Sequence, residues 1–137
     1  MTGPVAEVVD LDHVALRVRD LDRALGFYRD RLGMAVRDRE RFERGEVPYV
    51  AVVGGGRHLH LVPTDEPFDP GGEHVCLLVR TDETDSRADV DALIEALRAV
   101  GVEVEDGEPH ERYGAYGRDW AVYVRDPDGR RVELKTH

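Results

Sequence analysis

Cysteine is nearly absent from the chain, since Cys76 is the only one among 137 residues. A single thiol cannot close an internal disulfide, and it cannot supply the several thiolates of a cysteine-based zinc site. Any metal must therefore be bound by His, Asp and Glu side chains. The scarcity of cysteine also agrees with a reducing compartment, so we expect a cytoplasmic protein.

Long apolar runs and basic clusters are missing as well. No run approaches the roughly 18 to 20 apolar residues that cross a bilayer. Residues 1–10 have neither the basic start nor the apolar core of a signal peptide. The formal net charge is −10, and no stripe of Lys and Arg offsets it. Nucleic acids and anionic membrane surfaces are therefore not expected partners.

One strand pattern occurs twice. The sequence HVALRVR at 13–19 returns as HVCLLVR at 74–80, and both copies alternate in the period of a half-buried strand. Each half also closes on a similar strand, GRHLHL at 56–61 and GRRVEL at 129–134. The order of these features predicts an internal repeat.

Each half contains one helical stripe between its strands. The stripes end at Gly33 and Gly101, where a C-terminal glycine is expected. The first half then offers three strands, in GMAVRDRER, PYVAVVG and RHLHLVP, and the second offers VEVED, WAVYVRD and RRVELKT. We predict one domain of two βαβββ modules, at about 8–63 and 73–137, with a Pro-, Gly- and Asp-rich linker at 64–72.

The repeat equates residues that could bind a metal. It aligns His13 with His74, and His60 with Glu133. Because strand side chains alternate, all four point away from the apolar face that the helices cover. Three imidazoles and one carboxylate suit Zn²⁺, Ni²⁺, Fe²⁺, Co²⁺ or Mn²⁺ better than Mg²⁺. His58 lies on the same face as His60, so a register shift of one pair would exchange the two.

Basic residues share the faces of these predicted ligands. Arg17 alternates with His13, and Arg131 and Lys135 alternate with Glu133. They could attract an anionic substrate, although ordinary ion pairs with nearby acids explain them equally well.

The segment HERYGAYGRDW at 110–120 combines tyrosines, arginines and a tryptophan with glycines. We predict a mobile loop over a pocket, because binding residues concentrate in such loops. Its phenols, Tyr113 and Tyr116, are candidate substrate contacts that could donate hydrogen bonds to a bound oxyanion.

The opening LDHVALRVRDLDRALGFYRDRLGM and the closing VRDPDGRRVELK resemble the vicinal oxygen chelate superfamily over nearly the whole chain. This superfamily includes glyoxalase I, fosfomycin-resistance thiol transferases, extradiol dioxygenases, methylmalonyl-CoA epimerases and bleomycin-binding proteins. The resemblance implies an α+β fold in which two βαβββ modules form an open, curved mixed sheet around a metal site. It implies His13, His74 and Glu133 as metal ligands. The fourth position, which is Glu or Gln in many members, is His60 here.

The resemblance implies three possible functions. Three His and one Glu leave about two octahedral positions, enough for a substrate to chelate a Lewis-acid metal through vicinal oxygens. Glyoxalase-like isomerisation or lyase chemistry, with Glu133 as general base and acid, is the leading hypothesis. The alternatives are an Fe²⁺ extradiol dioxygenase, with His13, His74 and Glu133 as its triad, and a non-catalytic antibiotic-binding protein.

The resemblance also implies a homodimer. In short members of this superfamily, ligands from the first half of one chain commonly meet ligands from the second half of another. His13 and His60 would then face His74 and Glu133 of a second subunit.

Overall fold

The computed structural model describes residues 3–80 and 85–137, and the chain divides into two compact units, 1–65 and 66–137. Each unit contains one mixed sheet with helices, which makes the fold α+β. The boundary after Asp65 falls inside the segment 64–72. Among the described residues, no helix is both long and apolar enough to span a membrane.

The first unit holds a four-stranded sheet. Its strands lie in the order β1-β4-β3-β2, with β1 parallel to β4 and the other pairs antiparallel. The helix α1 continues directly as a π-helical segment, Gly26–Arg31. The elements are β1 (His13–Val18), α1 (Leu21–Leu25), β2 (Ala35–Arg37), α2 (Arg39–Glu43), β3 (Val50–Gly54) and β4 (Arg57–Pro63).

Local signals fix the first helix as predicted. The Asp20 side chain accepts a hydrogen bond from the backbone N–H of Arg23 and caps α1. Gly33 follows the helical segment with φ of 73°, which is the left-handed conformation that glycine adopts without strain. The helix packs against β4. Its buried residues meet the apolar sheet face, and this core comprises Leu16, Val18, Ala24, Leu25, Phe27, Tyr28, Leu59 and Leu61.

The prediction of one strand across GMAVRDRER is wrong in its second half. β2 ends at Arg37, Asp38 takes a left-handed conformation with φ of 66°, and α2 begins at Arg39. The charged run has no alternating apolar residues to bury on a sheet face. A helical turn instead places Arg39 Nε 3.2 Å from Glu43 Oε1, an i,i+4 ion pair.

The second unit holds a five-stranded sheet. Its order is β5-β9-β8-β6, and β7 also pairs with β8. β5 runs parallel to β9, and the remaining pairs are antiparallel. The elements are β5 (His74–Leu78), α3 (Ser86–Ala99), β6 (Glu103–Val104), β7 (His110–Gly114), β8 (Gly117–Arg125) and β9 (Arg131–Lys135).

The helix α3 covers one face of this sheet. Asp85 caps it by accepting hydrogen bonds from the backbone N–H groups of Arg87 and Ala88 at 3.1 and 3.2 Å. The helix packs against β8 and β6, and Gly101 follows it with φ of 82°. Its buried stripe meets the apolar sheet residues, and this core comprises Val90, Ile94, Leu97, Val122, Val124, Val132 and Leu134.

The segment 110–120, predicted as a loop, forms an antiparallel hairpin of β7 and β8 instead. Gly114 pairs with Gly117, so only two residues remain for the turn. Gly114 lies close to the side chain of Lys135. A Cβ at this position would be 3.1 Å from Cε of Lys135, so a larger residue would push that side chain aside. Gly117 has φ of 113°, which other residues avoid. Glycines that suggested a loop are therefore the turn residues of a hairpin.

The DPDG segment forms the turn between β8 and β9, as predicted. Oδ1 of Asp126 accepts hydrogen bonds from the backbone N–H groups of Asp128 and Arg130, each at 2.9 Å. Gly129 has φ of 83°. This turn sets the register of β9 against β8, and so the position of the last strand's carboxylate.

Candidate metal centre

The second unit brings two of the predicted ligands together. His74 Nε2 lies 3.1 Å from Glu133 Oε1, between parallel strands β5 and β9. The Glu133 side chain is 6% exposed and that of His74 is 36% exposed. Two ligand atoms at about 2.0 to 2.2 Å from one divalent ion are separated by about 2.8 to 3.1 Å at a right angle and about 3.3 to 3.6 Å at a tetrahedral angle. The pair therefore fits two adjacent coordination positions without rearrangement.

Tyr123 lies beside His74 and Glu133, and the sequence did not predict it as a residue of this site. It lies opposite Glu133 in the antiparallel pairing of β8 with β9. Its ring meets that of His74 edge-on, with centroids 5.4 Å apart and an interplanar angle of 88°. Burial and the Glu133 carboxylate raise the pKa of the Tyr123 phenol. The sequence contains a signal for this pairing. Residues counted outward in both directions from the DPDG turn at 126–129 bring Tyr123 opposite Glu133.

Two guanidinium groups flank the Tyr123 ring. Arg131 lies over it at 3.7 Å from the ring centroid, and Arg112 lies 5.8 Å from the centroid. Both oxygens of Glu105 accept hydrogen bonds from Arg131, at 2.9 and 2.6 Å. These hydrogen bonds lower the pKa of Glu105. Glu105 also pairs with Arg125 at 3.2 Å, so Arg131 and Arg125 share one carboxylate.

Two further polar residues near Glu133 are not among the predicted ligands. Lys135 is buried, and its Nζ donates to the backbone oxygens of Gly117 and Thr136 at 3.0 and 3.2 Å. Cys76 is an exposed residue, but partial burial of its thiol and the neighbouring Glu133 raise the pKa of Cys76 to about 11. Its thiol is therefore protonated near neutral pH, while metals bind the thiolate.

The first unit repeats the strand register of the second. In the first unit, Ala15 of β1 lies opposite the predicted ligand His60 of the parallel strand β4. In the second unit, Cys76 of β5 lies opposite the predicted ligand Glu133 of the parallel strand β9. Each of these residues follows the histidine of its strand by two positions. His58 takes the position that Arg131 has in the second unit. The Cα partners are His13 with His58, Ala15 with His60, His74 with Arg131, and Cys76 with Glu133.

The two predicted ligands of the first unit touch, but their rings are stacked. The centroids of His13 and His60 are 4.0 Å apart with an interplanar angle of 12°, and Tyr49 stacks on the other face of His60 at 3.7 Å. An imidazole nitrogen binds a metal in the plane of its ring. Two nearly parallel rings cannot both direct nitrogens at one ion, so one ring must rotate before both bind it.

The protonation of the two imidazoles suits metal binding. His13 donates from Nδ1 to Oδ1 of Asp12 at 2.6 Å, which leaves Nε2 as the basic nitrogen. This hydrogen bond lowers the pKa of Asp12. Burial, and then the neighbouring His13 and His58, lower the pKa of His60. A lowered pKa keeps His60 neutral, which is the form that binds metals.

The candidate substrate contacts are exposed. Arg17 lies on the same face of β1 as His13. Tyr113 is 81% exposed and pairs with Arg118 across the hairpin, with the guanidinium 5.7 Å from the ring centroid. Tyr116 lies in the turn, with its ring centroid 4.9 Å from that of His137.

A separate group of possible ligands follows β6. Asp106, Glu108 and His110 hold their ligating atoms within 4.8 Å of one another. His110 Nε2 donates to Oδ2 of Asp106 at 2.6 Å, and this hydrogen bond lowers the pKa of Asp106. The two acids are exposed. The sequence analysis missed this group because it has no counterpart in the internal repeat.

Comparison with known families decides the classification. The family model of the Glyoxalase/Bleomycin resistance protein/Dioxygenase superfamily matches residues 10–134. The chain belongs to this superfamily. The resemblance given by the opening and closing motifs is thereby confirmed, and so is the α+β class with one sheet per module.

Relatives within the superfamily include a glyoxalase domain-containing protein and lactoylglutathione lyases. The chain is 31% identical over 137 residues to glyoxalase domain-containing protein RDO1 of Mycosarcoma maydis, covering 95% of this chain and 69% of the relative. It is 31% identical over 132 residues to a probable lactoylglutathione lyase of Synechocystis, covering 89% and 91%. The crystal structure of lactoylglutathione lyase from Agrobacterium tumefaciens is similar, with 26% identity, a TM-score of 0.62, and coverage of 98% and 95%.

Proposed function

We propose that this chain is a divalent-metal-dependent enzyme of the glyoxalase-like type. It chelates a small substrate through vicinal oxygens and carries out isomerisation or lyase chemistry. The observation that supports this most directly is the 3.1 Å separation of His74 Nε2 and Glu133 Oε1, which suits two ligands of one ion. The similarity to a probable lactoylglutathione lyase and to the solved lactoylglutathione lyase supports this chemistry.

The proposed ligands are His13, His60, His74 and Glu133, bound to a single ion of Zn²⁺, Ni²⁺, Fe²⁺, Co²⁺ or Mn²⁺. Such an ion would supply Lewis acidity to the substrate oxygens. The chemistry of the side chains supports this set, because imidazole and carboxylate together suit these metals. His60 takes part after its ring has turned out of its stack with Tyr49 and His13.

Glu133 is the proposed general base and acid. Its buried carboxylate lies beside the phenol of Tyr123, a group that can donate a hydrogen bond to it. Proton transfer between neighbouring carbons needs a base that first accepts and then returns the proton, and a carboxylate can do both. We propose Arg17, Tyr113 and Tyr116 as further substrate contacts, on the basis of their exposure. Tyr113 lies on the sheet face opposite to Tyr123, so it would contact a part of the substrate that extends past the hairpin.

We also propose that the protein is a homodimer with two equivalent sites, each built from the first unit of one chain and the second unit of the other. Each unit supplies one pair of ligands, His13 with His60 and His74 with Glu133. A site of four ligands therefore needs both units.

Elemental analysis of the purified protein and of its Glu133→Gln variant tests this function. We expect about one metal ion per chain in the native protein. The variant keeps the size of Glu133 but loses its charge and basic oxygen, so it should bind metal more weakly. It should also lose turnover of a glyoxalase-type substrate by roughly 10²-fold or more, because general base catalysis contributes about 10² to 10⁴.

The identity of the metal separates the alternatives. Redox-inert zinc or nickel agrees with isomerase or lyase chemistry, whereas iron would favour the extradiol dioxygenase. A native protein that holds no metal, even after incubation with each of these ions, would contradict the proposed enzyme. It would favour the antibiotic-binding alternative.

A further inference from the structure

In a chain of net charge −10, Arg112 forms no ion pair with any carboxylate of residues 3–80 and 85–137. By contrast, Arg118 on the same hairpin pairs with Glu111. Arg112 is half-buried on β7, its Nη1 donates to the backbone oxygen of Glu111 at 3.1 Å, and its guanidinium also hydrogen-bonds the side chain of Tyr123. A guanidinium has five N–H donors, so the remaining ones can bind an external anion.

Arg112 lies on the same face of the sheet as the second-unit ligand pair. Its guanidinium is 5.8 Å from the centroid of Tyr123, whose ring contacts His74 and lies opposite Glu133. The other cation against this ring is Arg131, which is already ion-paired with Glu105, a carboxylate that it shares with Arg125. Of these two cations beside Tyr123, Arg112 is the one that has no carboxylate partner among the described residues.

We propose that Arg112 binds a carboxylate of the substrate. The substrate would then be an anion whose charged group lies near its two chelating oxygens. The planar guanidinium matches a carboxylate through two parallel hydrogen bonds, which gives this residue a role in selecting substrates rather than in the reaction itself. The inference rests on the proposed function, because the chelating oxygens are defined by the metal.

Two hydroxamates that chelate metals identically provide the test. Butyrohydroxamate is neutral outside its chelating group, and succinate monohydroxamate replaces its methyl group with a carboxylate. Isothermal titration of both into the metal-loaded native protein should show the carboxylate probe binding about tenfold tighter, the effect of one charge-assisted interaction. In Arg112→Gln this preference should fall to within about twofold, because the amide cannot neutralise the carboxylate.

Arg118→Gln is the matched control. It removes the same charge from the same hairpin but at a residue directed to the opposite face, so it should keep the tenfold preference. Unchanged binding of butyrohydroxamate by Arg112→Gln shows that the site is intact, and Arg112→Lys should retain part of the preference. An undiminished preference in Arg112→Gln, or none in the native protein, would overturn the role of Arg112. Failure of both probes to bind the metal-loaded native protein would instead reject the proposed chelation and, with it, this inference.

Discussion

The backbone of His60 lies at a proposed metal-ligand position, but its imidazole ring is stacked and would have to turn before it binds a metal together with His13. Its backbone lies where Glu133 lies in the second unit, but its ring lies between those of Tyr49 and His13. Aromatic contacts of this kind stabilise the metal-free protein by only about 0.5 to 1.5 kcal/mol. A metal–imidazole bond can therefore compete with the stack.

Substitution of the two β4 histidines tests this position. His60→Gln should weaken metal binding by at least about tenfold, because it removes a proposed ligand, whereas His58→Gln should change it by less than about threefold. Competition with a chromophoric chelator measures both affinities. The reverse result, with His58→Gln emptying the site, would mean that strand register does not select the ligand.

The sequence predicts those candidate site residues that the internal repeat aligns with one another. His13, His60, His74 and Glu133 stay predictions, and two similar strands that align them are their source. Tyr123 and Arg112 were not predicted, since their place beside Glu133 comes from pairing across β8 and from the face of a strand that looked like a loop. These relations depend on long-range register, which a local pattern of residue types does not contain.

At the scale of elements, most of the fold follows from local signals. Alternation predicts the strands of both parallel pairs, and Gly33 and Gly101 mark the ends of the two helical segments. Two elements were missed. The helix α2 is highly charged and is fixed by ion pairs, and β7 is a strand because β8 is available to pair with it.

One tertiary ion pair fixes the segment after β6 to β9. Glu105 binds Arg131, 26 residues later, and this hydrogen bond lowers the pKa of the carboxyl below its ordinary 4.5. Since the pKa is lower in the folded protein than in the unfolded chain, the interaction stabilises the fold above about pH 4.5. Its contribution is lost as the pH falls through the folded pKa.

Glu105→Gln should therefore lower the free energy of unfolding by about 1 kcal/mol near neutral pH. The difference between variant and native protein should shrink on acidification and vanish once the native carboxyl is protonated. Urea denaturation across a pH series measures it. Glu103→Gln, at an exposed position of β6, is the control and should show no such dependence. A Glu105→Gln deficit that persists unchanged in acid would show that the carboxylate charge is not its source.

At the scale of the whole molecule, the proposed ligands come in two pairs, one from each unit. The proposed dimer can therefore be tested by mixing two variants, each defective in a different unit. A chain carrying His13→Gln and His60→Gln is defective only in its first unit, and a chain carrying Glu133→Gln only in its second. If sites form across subunits, a heterodimer of the two contains one intact site and one with both halves defective.

Denaturing and refolding the two variants together should then restore tight metal binding to about a quarter of the sites, given random pairing. This fraction follows because half the dimers are mixed. Refolding each variant alone should restore none, and light scattering should give about twice 15.4 kDa. Sites confined to one chain predict no recovery on mixing, and a monomeric mass would exclude the dimer.

The hairpin of β7 and β8 has a consequence for how new specificities could arise. Because neighbouring residues of a strand point to opposite faces, a slip of β7 by one residue would remove Arg112 from the face of Tyr123 and bring Tyr113 onto it. A phenol would replace a guanidinium there, while β5 and β9 kept their ligands in place. One codon inserted at the Gly114–Gly117 turn makes this exchange, whereas a deletion would bring Glu111 to the same place. Under the proposed role of Arg112, the insertion would convert a preference for acids into one for neutral compounds. Turn length in this hairpin is therefore a route by which duplicated genes could diverge while the proposed metal ligands stay in place.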